Sequence, residues 1–89
     1  MHTPNDVLMY WGDKMPLLAM EECGELIQAI SKMERATMKY DIELEKNCKD
    51  NLCKEIADVV IACEALLLLY EIDKKEVEAC YKKKLNKEY

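Results

Sequence analysis

Apolar positions recur at helical spacing over two long stretches of the chain. From about Met15 to Met38 they fall at Met20, Cys23, Ile27, Ile30 and through Met33–Met38. Intervals of three and four place such residues on one side of an α-helix. From about Asn51 to Tyr70 a second stripe runs through Leu52, Ile56, Val59, Cys63, Leu66 and Tyr70. Ile61, Leu67 and Leu68 add apolar surface outside that stripe, more than one neighbouring helix would cover. A partner subunit is therefore expected.

Local signals supply the ends. Thr3 before Pro4 reads as an N-cap with proline at the first helical position, opening a short helix over Pro4–Trp11 that Gly12 closes. Between the two long stripes the sequence has no glycine or proline, so the break is placed only loosely within Thr37 to Asn51, with Asp41 or Asn47 as caps. Asp73 followed by Glu76 is a capping-box variant that starts a lysine-rich helix reaching the C-terminus. The expected fold is all-α: a small four-helix domain, its two long helices forming an antiparallel hairpin.

Composition narrows this further. Eighty-nine residues make one small domain, 51% hydrophobic and 35% charged, with only two glycines and two prolines. That mix disfavours a strand-rich fold, which needs more turn residues. The net charge of −5 is uneven: residues 1–72 carry −7 and residues 73–89 carry +2. An acidic body disfavours nucleic acid, whose binders present clustered positive charge. It does not disfavour a metal cation. The five cysteines (Cys23, Cys48, Cys53, Cys63, Cys80) are odd in number and form no CxxC, which fits reduced thiols in a cytoplasmic protein. A zinc site from Cys48, Cys53 and His2 would match no familiar ligand spacing. The start, MHTPND, lacks an apolar signal-peptide core, and the longest apolar run is interrupted by Glu64 and too short to span a bilayer.

The acidic residues carry the chemistry. Glu22 and Glu25 are three apart and share a helix face, as do Glu55 and Asp58. In an antiparallel hairpin, residues at one level have numbers adding to a constant. Pairing 22 with 58 and 25 with 55 satisfies that rule for a hairpin centred near Tyr40. Four facing carboxylates cannot all stay ionised unless a cation joins them. Oxygen-only ligands favour Mg²⁺, or Mn²⁺, whereas a di-iron bundle would want Glu-x-x-His motifs that the sole histidine cannot supply. Taken singly, these acids would read as a solvated helix face. Asp58 resists that reading, being a poor mid-helix residue set among Ala57 and Val59–Ala62.

The segments EECGE (residues 21–25) and EIAD (residues 55–58) resemble the EExxE…ExxD signature of the MazG-like, all-α nucleoside triphosphate pyrophosphohydrolase superfamily. The resemblance covers most of the chain, and Lys82 and Asn86 resemble the family's C-terminal lysine and asparagine. The spacer from Glu25 to Glu55 is long for that signature, at 29 residues, and Tyr89 stands where the family often has arginine. The resemblance implies hydrolysis of a (d)NTP to the monophosphate and pyrophosphate by Mg²⁺-activated water. Glu22, Glu25, Glu55 and Asp58 would be metal ligands, and Glu21 would orient or deprotonate the water. Lys82 and Asn86 would contact phosphates or sugar. Trp11, the only tryptophan, would stack on the base, with packing as its default role. A homodimer or homotetramer is implied too. Two readings compete: a helical interaction module without catalysis, and a phosphoribosyl-nucleotide pyrophosphohydrolase.

Overall fold

The computed structural model describes residues 3–88; His2 and Tyr89 lie outside them. The described chain is helical nearly throughout, with no strand: α1 (Pro4–Trp11), a 3₁₀ turn (Gly12–Lys14), α2 (Met15–Met38), α3 (Ile42–Leu69) and α4 (Lys74–Glu88). None of these helices is long and apolar enough to cross a membrane.

Each boundary has a local cause. At α1 the Thr3 hydroxyl accepts from the Asp6 N–H at 3.2 Å while the Thr3 N–H donates to Asp6 Oδ2 at 3.0 Å, a complete capping box. Gly12 ends the helix at φ +52°, in the left-handed region that side chains disfavour. Asp41 caps α3 by accepting from the Leu44 N–H at 3.0 Å, and Glu43 and Glu45 in the first turn complement the helix dipole. The helix therefore begins at Ile42, nine residues before the position the apolar stripe suggested. The polar segment up to Asn51 holds no breaker, so a good cap upstream carries the helix through it. At the far end, Ile72 N–H reaches Leu67 O at 2.8 Å and Glu71 N–H reaches Leu68 O at 3.4 Å, with Glu71 at φ +54°. These are the hydrogen bonds of a Schellman motif.

Residues 39–41 connect α2 to α3, and these two helices pack against one another more extensively than any other pair of elements. Their seam is built from small side chains: Ala19, Ala29, Ala36, Ala62 and Ala65 are all buried. Met15 is the one large side chain fully enclosed, packed among Ala19, Ala62 and Ala65 and flanked by Val7, Leu8, Trp11, Leu18, Leu66 and Leu69. Thus α1 is held chiefly on α3, over one edge of the pair.

Two features of the packing were not set by the apolar pattern. The stripes reading Met20–Ile27 on α2 and Ile56–Tyr70 on α3 do not form the contact between these helices. Met20, Ile27 and Tyr70 remain 63%, 67% and 59% exposed. Together with Cys23, Val59, Cys63 and Leu66 they wall an open apolar groove of about 510 Å³ lined by α2 and α3. Alanines let two helix backbones approach, so the smaller residues take the seam and the larger ones face out. Nor does α4 pack as a fourth bundle member. Its residues 74–87 are exposed, and Lys74 makes an ion pair with Glu64 at 3.4 Å beside the Asp73 cap.

Candidate metal centre

The seam that alanines narrow elsewhere carries acids midway along its length. On α2, Glu22 and Glu25 sit one turn apart; on α3, Glu55 and Asp58 do the same. The fold gathers one carboxylate oxygen from each of the four within 4.8 Å of one another. Glu22 and Glu55 are half-buried, while Glu25 and Asp58 keep more solvent. The four acids that the numerical spacing singled out are the four that the structure brings together.

Electrostatics at this point are unfavourable by construction. The Glu22 carboxyl is pushed above 4.5 by desolvation first, then by the charges of Glu25, Asp58, Glu55 and Glu21. Glu55 is likewise raised, by desolvation, by Glu25 and Asp58, and by a hydrogen bond with Glu25; Lys32 opposes the shift. Glu22 Oε2 and Glu55 Oε2 are buried with no hydrogen-bond partner. A buried carboxylate oxygen without a donor is costly. Hard divalent cations take such oxygen-only sets, and the donor chemistry here fits one.

Glu21 is exposed and outside the four, though close enough for its charge to act on Glu22. Trp11, from the end of α1, joins the site from the side. With Val7, Leu18, Glu22, Asp58, Ile61 and Ala62 it lines a cavity of about 400 Å³ that brings an indole and two carboxylates to one space. Tyr10 stands edge-on to it, ring centres 5.7 Å apart. Leu18 carries no distinguishing sequence signal beyond its place one turn from Glu22, and Ile61, expected only as surplus apolar surface, lies one turn from Asp58 on the same face. Lys82 and Asn86 are exposed on α4 and are not among the residues lining the cavity of Trp11, Glu22 and Asp58. All five cysteines are free thiols.

No family model, curated protein or solved structure matches this chain.

Proposed function

We propose that the protein is a MazG-like nucleoside triphosphate pyrophosphohydrolase, cleaving a (d)NTP to the (d)NMP and pyrophosphate. The observation that carries the reading is the convergence of Glu22, Glu25, Glu55 and Asp58, two of them with buried oxygens lacking any donor. These four would hold Mg²⁺, with Mn²⁺ as an alternative, on an antiparallel hairpin. The ion, when bound, neutralises triphosphate charge and charge developing at the transition state.

The chain's own residues do the rest. Glu21, wet and beside Glu22, orients a water and takes its proton. The water oxygen bonds to the α-phosphorus while the bond to the α–β bridging oxygen breaks, and that electron pair leaves on pyrophosphate. Trp11 offers its face to the base beside Glu22 and Asp58. A second copy of the chain covers the apolar groove between α2 and α3, giving a homodimer or homotetramer, and the free thiols suit a cytoplasmic setting. In that assembly Lys82 and Asn86 of α4 would meet substrate only by reaching a neighbouring subunit's site.

Pyrophosphate release from a panel of NTPs and dNTPs, with Mg²⁺ and then with EDTA, tests the reading. Metal-dependent release with monophosphate as co-product, lost in Asp58→Asn, is the expected outcome. Silence across the panel and no thermal shift with Mg²⁺ would leave a helical interaction module.

A further inference from the structure

The site has a direction along the helix pair. Trp11 shares its cavity with Glu22 and Asp58 and not with Glu25 or Glu55. The aromatic end therefore lies at the Glu22–Asp58 level. Glu25 and Glu55 lie one turn nearer the connection at residues 39–41. Continuing that way along α2, the next charged residue is Lys32. Seven residues fall about 20° short of repeating a helix face, so Lys32 stands on Glu25's side, about 10 Å further along the axis.

Side chains on a helix lean toward its N-terminus. On α2 that lean carries the Lys32 ammonium back toward Glu25. On α3 the cation beside the site, Lys54, immediately precedes Glu55 and so stands about 100° around the helix from it, off the carboxylate face. Lys32 is exposed and holds no salt bridge among the described residues.

We propose that Lys32 binds the terminal phosphates of the substrate, so that a nucleoside triphosphate lies along the helix pair with its base at Trp11, its α-phosphate at the four carboxylates and its β- and γ-phosphates at Lys32. This rests on the pyrophosphohydrolase reading and assigns the pole of that site which the carboxylates, being acidic, cannot supply alone. An ammonium with three donors is suited to phosphate oxygens. In this position it also meets the charge that gathers on departing pyrophosphate.

The test is calorimetric titration of inorganic triphosphate with Mg²⁺ into the wild type, Lys32→Gln, Lys32→Arg and Lys54→Gln, with KM for the preferred substrate. The four nucleoside monophosphates are titrated in parallel, because they lack the terminal phosphates. Lys32→Gln should weaken triphosphate binding and raise KM by about tenfold or more, the scale of a lost charged hydrogen bond. Lys32→Arg should recover most of that, and monophosphate affinity should not move. Triphosphate binding unchanged in Lys32→Gln, or weakened equally in Lys54→Gln, overturns the assignment. If the wild type turns over substrate and Lys32→Gln matches it, only the assignment falls. A wild type that neither binds Mg²⁺-triphosphate nor releases pyrophosphate removes the reading beneath it.

Discussion

Replacing Glu22 by glutamine should make the metal-free protein more stable, although it removes a group central to the proposed site. Two unit charges 4.8 Å apart repel by about 1 kcal/mol in a water-like dielectric and by roughly three to four times that at the effective value of a protein surface. Glu22 is only half-buried, so the water-like end applies. Its charge faces three others, and salt together with shared protons already relieves part of the repulsion. A net gain of about 1–2 kcal/mol remains, which in a domain of this size raises Tm by about 5–10 °C. Thermal melts followed by circular dichroism, at neutral pH and low salt in EDTA, read this directly. Adding Mg²⁺ should then raise the wild type and leave Glu22→Gln nearly unmoved, since a ligand stabilises the native state that binds it. A variant that melts below the wild type in EDTA would refute the reasoning, because the carboxylate would then be stabilising where it stands.

The remaining expectations are simpler. Because the folded-state values of Glu22 and Glu55 both lie above 4.5, the native chain binds protons that the unfolded chain releases. Their penalty is full above the raised values and fades as pH falls toward 4.5, so melting in EDTA should rise from neutral pH toward about 5; a Tm that only falls over that window contradicts the cluster's charge state. Trp11→Ala should raise KM by about tenfold, the scale of losing one base–aromatic stack, in steady-state kinetics; an unchanged KM with lowered Tm would assign the indole to packing alone. Ile27→Lys, in the open groove, should shift the protein to monomer by sedimentation equilibrium, and a wild type already monomeric would show that a second copy does not cover this face.

Much of this was legible before any coordinates, and the reason differs by feature. Caps are local chemistry, so Thr3, Gly12 and Asp73 announced their helix ends outright and Asp41 stood among two candidates. The convergence of the four acids was legible because two acids three apart share a face of each helix, so packing those faces together gathers all four. The orientation of the apolar stripes was not. Periodicity reports that a face is apolar without saying what covers it, and here alanines took the contact that larger residues seemed to claim. The start of α3 was missed because polar residues with good helix propensity look the same inside a helix as outside it. Lys32 went unremarked because its meaning depends on which way a helix side chain leans relative to a site.

The arms between the site and the connection give the fold a length grammar. Thirteen residues follow Glu25 to the end of α2, and thirteen precede Glu55 from the start of α3, each about 20 Å of helix. One residue added within either arm would turn the acids beyond it by about 100° and take them off the shared face. Seven removed from each arm would return both faces almost to their original bearing. Length change in this chain should therefore be tolerated in paired helical repeats and resisted in single steps. The 29-residue spacer is then one rung of a ladder, and shorter rungs should carry the same four carboxylates.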